Sequence, residues 1–492
     1  MPSSTLVVVD DPSSWPLQLP GVELVAARTY LTDPRYVTMR GVHLFNLCRS
    51  YRYQSTGYYV SLLAAARGHK PLPSAGALQD LKSQGIVRLI SEELDALIQK
   101  SLKPIRSPEF VLSIYFGRNL ARRYDQLSLR LFKQFQFPFL QARFAQGKKD
   151  GRWVLHSLAP LAAGSIPEDH REFSEAMARE YFQGRRLRLT RKPQSRFDLA
   201  ILVNPRESEP PSDARALKQF CRAAENVGFA VELIGREDIG RLAEFDALFL
   251  RETTNVNHHT YRFARRAAAE GLVVIDDPDS ILKCTNKVFL AELLDRHGVA
   301  APRSMVIHRG NLKQVLPQLG VPCILKQPDS SFSQGVVKVS SEAEFHQAIS
   351  LLLQRSELAV GQEFMPTDFD WRIGVFNRQP LYACRYYMAK QHWQILKRDE
   401  QGRKTEGEAD SVPLDEVPKP VLRAALRAAG LIGDGLYGVD LKQVGGKVYV
   451  IEVNDNPSID SGVEDAVHKE QLYRAIMQEL MRRVDAKKGG RA

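Results

Sequence analysis

From Phe197 to Pro278 the sequence alternates apolar, β-type runs with amphipathic helical stretches over short loops. "FDLAILVNP" (197–205) reads as a buried strand ending at a turn. "SDARALKQFCRAAENVG" reads as a helix capped by Ser212 or Asp213 and closed by Gly228. "FAVELIG", "DALFLRE" and "LVVIDDP" are further strands, with "REDIGRLAEF" and "NHHTYRFARRAAAEG" as helices between them. Strands joined through helices over such short connections imply a parallel sheet. His258 and His259 open the third helix and are expected at the surface or as caps, not as ligands.

From 279 the pattern changes. "SILKCTNKVFLAELLDRHGV" reads as one helix and "CILKQP" (323–328) as a strand. "SSFSQGVVKVSS" is a polar turn into another strand, and "EAEFHQAISLLLQRS" a helix. "LAVGQEFMP" and "DWRIGVFNRQPLYACRYYM" are strands, the latter a hairpin through Asn377-Arg378. "LYGVDLKQVGGKVYVIEVND" is a hairpin turning at Gly445-Gly446. The polar stretch Lys397 to Pro420 is expected to be a mobile loop. The result is a mixed α+β unit with antiparallel sheets.

Upstream, "TLVVVDD", "GVELVAARTYL", "VHLFNLC" and "FVLSIYFG" read as strands, and "TGYYVSLLAAARG" and "DQLSLRLFKQF" as helices. This is a further α/β unit whose topology the pattern does not give. The net charge of +11 lies wholly here: residues 1–196 hold 29 Lys+Arg against 16 Asp+Glu. "GRRLRLTRKPQSR" (184–196) is the densest run and reads as a boundary. The expected domains are a basic α/β unit at 1–184, a linker at 185–196, an α/β unit at 197–278, an α+β unit at 279–480 and a disordered basic tail at 481–492.

No apolar run approaches the roughly 20 residues a membrane span needs. "TLVVVDD" is too short for a signal-peptide core. A cytoplasmic protein without a membrane partner is expected. The five cysteines, Cys48, Cys221, Cys284, Cys323 and Cys384, form no CxxC pair and read as reduced core thiols.

The chemistry concentrates after 284. In "VIEVNDNPSID" Glu452 and Asn454 share one face of a strand, and Asp440 on the preceding strand can lie beside them. Three hard oxygen donors suit Mg²⁺, which usually shares its shell with phosphate. Lys326 ends a buried strand before "DSSFSQG", where Ser331, Ser333 and Gly335 let backbone N–H groups approach phosphate oxygens. Lys287 in "TNKVFL" supplies a second ammonium. Glu363 and Phe364 in "GQEFMP" suit an adenine edge. Arg372, beside Asp370 and Trp371, and Arg385 place two guanidinium forks on a hairpin.

This order of motifs resembles the ATP-grasp superfamily, and within it the RimK-like carboxylate–amine ligases. The resemblance covers about 200–480, with 280–465 the specific part. It implies an ATP-grasp fold preceded by a small parallel α/β domain, and an additional N-terminal α/β domain resembling one found ahead of some RimK-like proteins. It also implies ATP and two Mg²⁺ ions, with Mn²⁺ as a substitute. Lys287, Lys326, Ser331, Ser333, Gln334, Gly335, Glu363, Phe364 and Asp370 inherit nucleotide roles. Asp440, Glu452 and Asn454 inherit the metal, and Arg372 and Arg385 the transferring phosphoryl. The implied reaction activates a carboxylate as an acylphosphate and gives it to an amine, with ADP released. The substrates implied are a small acid, peptide or protein tail and glutamate or another amino acid. A homo-oligomer is expected.

One stretch departs from the family pattern. RimK-type glutamate ligases carry an Asn-x-x-x-Gly-Gly type acceptor loop after the second arginine. Here the chain reads "YYMAKQHWQILKRDEQGRKTEGEAD", longer and differently charged. Lys390 and His392 within it are candidates to meet the acceptor, and the amine stays open. Two other readings stay open as well: a nucleotide-binding regulator without ligase activity, and a nucleic-acid- or ribosome-associated binding protein. The second draws on the basic N-terminal part, which also suits an acidic partner; no RNP motif, zinc finger or helix-turn-helix accompanies it. Arg49 and Arg52 precede a helix opening near Ser55-Thr56-Gly57, as a candidate anion site or a plain capped helix.

Overall fold

The structure is a computed structural model that describes residues 5–18, 22–39, 41–147, 151–189, 195–329, 335–389, 393–398 and 404–489. Among these, no helix is long and apolar enough to cross a membrane.

The 197–278 region forms the expected parallel sheet, in the order Val273–Ile275, Ala247–Leu250, Phe197–Leu202, Phe229–Ile234. Its strands read as continuous apolar runs because both faces are covered. Leu199, Ile201, Ala247 and Phe249 face one buried cluster; Ala200, Leu202, Leu248 and Leu250 face another.

The C-terminal segment departs from its expected disorder. Glu470–Gly489 is a helix, and Leu472, Ile476, Leu480 and Val484, four residues apart, are buried on one face. They pack against the same cluster as Phe220 of the helix Ala214–Val227, and Tyr473 meets Phe220 edge to face at 4.7 Å. Burying such apolar side chains contributes about 1.5–3 kcal/mol each. The arginines and lysines of 481–488 masked this periodicity. The other charged run behaves similarly: the helix Glu168–Leu189 continues into the segment expected to be a linker.

The single helix expected at 280–299 is two, Pro278–Thr285 and Lys287–Arg296. Asn286 between them is extended, and its side chain accepts a hydrogen bond from Phe289 N at 3.0 Å. An asparagine cap outcompetes helical continuation here. The break also docks on the next element: Lys287 N donates to Pro328 O at 2.9 Å.

Beyond this break stand two antiparallel sheets, as expected. The smaller has the order Ser304–Ile307, Ala359–Glu363, Cys323–Lys326, Val336–Val339. The larger has the order Ala409–Ser411, Gln379–Tyr387, Phe369–Phe376, Leu436–Val444, Lys447–Asp455. The expected hairpin turns carry positive φ at Asn377 and Arg378 and at Gly445 and Gly446. One end of the loop expected to be mobile is anchored: Ala409–Ser411 pairs with the strand containing Cys384 to Tyr386.

The N-terminal region holds a parallel sheet, Glu23–Ala26, Thr5–Val9, His43–Asn46, Lys70–Leu72, and an antiparallel one, Glu109–Tyr115, Phe139–Gln146, Trp153–Pro160. "GVELVAARTYL" splits into the strand Glu23–Ala26 and the helix Ala27–Thr32. This region lies directly on the 197–278 unit. A Cβ on Gly240 would fall 1.9 Å from Lys133 O, so only glycine permits the approach.

Candidate functional site

The larger sheet has two unlike faces. Trp371, Ile373, Val375, Val439 and Leu441 pack beneath the helix Lys419–Ile432. The opposite face carries Asp370, Arg372, Tyr386, Asp440, Glu452 and Asn454 into a cavity of about 800 Å³. The smaller sheet supplies Ile324, Lys326, Val336 and Gln362 to the same cavity.

Strand register brings the three expected oxygen donors together. Asp440 pairs with Glu452, and Gly438 with Asn454. Asn454 Nδ2 lies 3.1 Å from Asp440 Oδ2. Two carboxylates on directly paired residues need counter-charge, and the cations expected for phosphate provide it. Lys287 Nζ lies 2.9 Å from Glu452 Oε1. Arg372 donates to both oxygens of Asp440, through Nε at 2.7 Å and Nη2 at 2.8 Å. Burial pushes the Glu452 carboxyl up, yet Lys287 and Lys326 outweigh it and hold the group below the usual range. Lys326 has a neutral partner, donating to Gln362 Oε1 at 2.8 Å. Burial lowers its pKa to about 8, although Glu452 acts the other way.

The apolar wall follows from the smaller sheet. Phe364 lies with Lys338 Nζ 3.9 Å above its ring and the Trp393 ring edge-on at 6.1 Å. Ile324, Val336, Met365 and Ile395 line the cavity beside it. Glu363 also lines it, with its carboxylate accepting from Arg303 N at 2.8 Å and Arg303 Nε at 2.9 Å.

The strand carrying Glu452 and Asn454 stops at an Asn-Pro turn for a reason in the packing. Asn456 takes positive φ and donates through Nδ2 to Glu252 O at 2.7 Å. Arg251, fully buried, donates to Asn456 Oδ1 at 2.8 Å and Pro457 O at 2.9 Å. The turn thus locks the larger sheet to the parallel one. Burial lowers the Arg251 pKa to about 10. Asp276 lies buried beside this joint and Asp455 half-buried. Burial raises both carboxyls, that of Asp455 to about 7.

A family model described as a RimK-like ATP-grasp domain matches residues 284–469, and one described as a RimK-like ATP-grasp N-terminal domain matches 27–177. The chain belongs to the RimK-like ATP-grasp family. This is a family of ATP-dependent carboxylate–amine ligases. A Vibrio vulnificus protein named "Probable alpha-L-glutamate ligase" is 24% identical over 233 residues, 46% of this chain and 74% of that protein. Among solved structures, a D-alanine–D-alanine ligase of Bacillus anthracis aligns with TM-score 0.46 and 15% identity over 59% of this chain and 100% of that one. A RimK domain ATP-grasp protein of Sphaerobacter thermophilus aligns with TM-score 0.44 and 15% identity over 57% of this chain and 98% of that one.

Not every expected site residue of this RimK-like chain reaches the cavity. Arg385 pairs across from Trp371, so it stands on the opposite face from Arg372. Its guanidinium lies 5.4 Å from the Phe369 ring centre and 5.0 Å from that of Trp371. Its position one residue after Cys384, itself opposite Arg372, decides this, because side chains alternate across a strand. Asp370 reaches the cavity but is held by Lys442 and by Thr367 Oγ1 at 2.9 Å. Gly335 has φ +70 and accepts from Gln327 N at 2.9 Å. Ser331, Ser333, Gln334, Lys390 and His392 lie outside the described residues.

Sequence reasoning missed Lys442, Lys338, Trp393, Tyr386 and Glu464. Strand alternation could have found Lys442, two residues from Asp440; Tyr386 enters only through its pairing with Asp370 across the hairpin. Tyr386 donates its hydroxyl to the buried Glu464, a contact between distant segments that no local pattern shows. His259 is a correction too: it is buried, not at the surface, with Nε2 2.9 Å from Glu252 Oε2.

Proposed function

We propose that this chain is an ADP-forming amide or peptide synthase, which activates a carboxylate with ATP and transfers the acyl group to an amine. The observation that carries this reading is the pairing of Lys287 with Glu452 and of Arg372 with Asp440 at one end of the cavity. Each carboxylate suited to a metal is matched by a cation suited to phosphate. Arrival of metal and triphosphate would exchange the partners without leaving a buried charge alone.

The donor set fits Mg²⁺. Asp440, Glu452 and Asn454 are hard oxygen ligands on one face of two paired strands, and they would hold it. When bound, it would neutralise charge on the β- and γ-phosphates. Lys287 and Lys326 hold phosphate oxygens, and Phe364, with Ile324 and Val336, covers the base. Arg372 keeps a guanidinium fork against the transferring phosphoryl group. The substrate carboxylate bonds to the γ-phosphorus as ADP leaves. The amine then bonds to the acyl carbon, phosphate leaves, and the amine loses a proton. No protein nucleophile is needed; positioning and charge neutralisation carry the rate.

The relatives named as glutamate ligases support glutamate as the first amine to test. Incubation with ATP, Mg²⁺ and pairs of amino acids, scored by ADP release and by mass of the product, tests the reading. A product heavier than the acid by one condensed amine, with one ADP per bond, is expected. ATP bound but never turned over across acids, amines and peptides would favour a regulatory nucleotide-binding protein instead.

For the organisation, we propose that 195–278 and the helix Glu470–Gly489 form one packing unit beneath the grasp. The N-terminal domain would be fixed to that unit, since Lys70 reaches Asp198 and Asp246, and Lys133 reaches Asp238 at 3.0 Å. Part of its positive charge is spent within the chain.

A further inference from the structure

A second group of metal-type donors lies at the carboxyl ends of the parallel strands, away from Asp440 and Glu452. Glu252 follows the strand Ala247–Leu250. His258 caps and His259 opens the helix His259–Ala269. One ligand atom from each of these three residues lies within 4.8 Å of the others. Crevices at this end of open α/β sheets are where ligands bind.

The donors are held in place. Glu252 is 2% exposed and His259 is 7%. His259 Nε2 lies 2.9 Å from Glu252 Oε2, and Asn204 Nδ2 donates to Glu252 Oε1 at 3.1 Å. His258 stacks on His259 with ring centres 4.0 Å apart, and its Nδ1 lies 3.0 Å from Thr260 Oγ1.

A second observation points to a cation. Glu207, in the turn after the strand Phe197–Leu202, accepts from Thr253 N at 3.1 Å with one oxygen. Its other oxygen is buried without a hydrogen-bond partner among the described residues. Glu207 and Glu252 repel each other. Among the described residues, no Lys or Arg lies within ion-pair distance of either. Arg236 and Arg262 act on His258 electrostatically, but both pair with Glu93. One carboxylate and two imidazoles meet here, with Glu207 close enough to Glu252 to repel it, and the group is short of positive charge.

We propose that Glu252, His258 and His259 bind a divalent transition ion of the zinc type, with the Glu207 carboxylate adding negative charge beside it. Imidazole with carboxylate selects zinc, cobalt or nickel over Mg²⁺, which wants oxygen alone. Bonds of about 2.0–2.2 Å require the donors to draw inward; half-buried His258 has room to move. The ion would brace the loop that walls the ATP-grasp cavity. Thr253 and Thr254 line that cavity, and Thr254 Oγ1 donates to Asp455 Oδ2 at 2.6 Å. The site is independent of the ligase reading.

Full-length protein, stripped of metal and free of nucleotide, is titrated with Zn²⁺ against a chromogenic chelator and with Co²⁺ by visible absorption. One saturable equivalent is expected, with a cobalt spectrum lacking a thiolate charge-transfer band. His258→Ala/His259→Ala should weaken binding by about 10²-fold or more, since losing even an outer-shell partner costs 10–100-fold. Glu452→Gln should bind as the parent does. If the double variant fails to fold, judged by circular dichroism, His258→Ala alone should still weaken binding at least about 10-fold. The proposal is overturned by absence of saturable binding, by a thiolate band, by histidine variants that bind as the parent does, or by loss on Glu452→Gln.

Discussion

Lys287 and Glu452 form an ion pair 2.9 Å long that joins the start of one helix to the last strand of the chain. Both are largely buried, with 9% and 25% of their side chains exposed. The pair exists because Asn286 interrupts what would otherwise be one helix, turning Lys287 toward the sheet. Buried pairs of this kind stabilise little on balance, but removing one partner leaves a costly lone charge.

Glu452→Gln with Asn454→Ala should therefore act twice. Mg²⁺-dependent ADP formation should fall by about 10²-fold or more, the scale of a lost charge-stabilising group. Lys287 would lose its counter-ion, and stability should fall by about 1–3 kcal/mol. Turnover measured below the melting transition separates the effects. Unchanged turnover would remove Glu452 and Asn454 from the metal set.

The two arginines of the central hairpin should behave differently. Arg372→Lys retains charge but loses the fork that grips Asp440, and turnover should drop by about 10²-fold with ATP affinity little changed. Arg385→Lys should leave turnover near that of the parent and cost about 0.5–1 kcal/mol in stability, from weaker stacking on Phe369 and Trp371. Steady-state kinetics and denaturant melts of both variants decide it. Equal losses of turnover would restore Arg385 to the site.

This contrast shows what the sequence carries. The alternation of side chains on a strand put Glu452 and Asn454 on one face correctly, because a two-residue spacing is local; Asp440 joins them through the register of the tight hairpin. The same rule separates Arg385 from Arg372, once Cys384 is known to lie opposite Arg372. That register belongs to two strands together and is absent from either alone. Arg251 gripping the Asn456-Pro457 turn lay further still from view. A strand-end arginine reads as solvated until the parallel sheet and the larger sheet meet. The end of the helix Glu470–Gly489 was obscured by its arginines and lysines, although its apolar residues recur every fourth position.

Lys326 predicts a pH dependence. Its pKa falls from 10.5 to about 8 on folding, because burial disfavours the ammonium. The unfolded chain binds the extra proton between these values, so Lys326 makes stability rise with pH across about 8 to 10.5. Nucleotide binding runs the other way. Phosphate favours the ammonium, so ATP binding above pH 8 should take up a proton and weaken as pH rises. Calorimetry at pH 8.5 in two buffers of different ionisation enthalpy measures the uptake. Lys326→Arg, which stays charged, should abolish it; persistent uptake in that variant would assign the proton to another group.

The junction of the N-terminal domain with the parallel sheet predicts where that domain acts. Asp246 is 3% exposed at its side chain and meets Lys70 of the N-terminal domain at 3.1 Å and Lys488 of the last helix. Burial pushes its carboxyl up, but the two ammoniums outweigh this and hold it below its usual value. A depressed carboxyl contributes stability above the unfolded pKa of 3.8, and that contribution is lost as pH falls through the folded value. Lys70→Met leaves Asp246 with Lys488 as its counter-ion and the hydrogen bond from Asp198 N, and should cost about 1–3 kcal/mol near neutral pH. The deficit should shrink in acid, once Asp246 is protonated. Added salt should change it little, because screening acts mainly on exposed charges. The exposed pairs across the same junction, Arg130 with Glu237 and Arg236 with Glu93, should respond to salt instead. If the domain serves to hold the parallel sheet in place, Lys70→Met keeps full turnover per folded molecule. A variant that melts like the parent yet loses turnover would mean that the N-terminal domain takes part in the reaction rather than only supporting the unit that performs it.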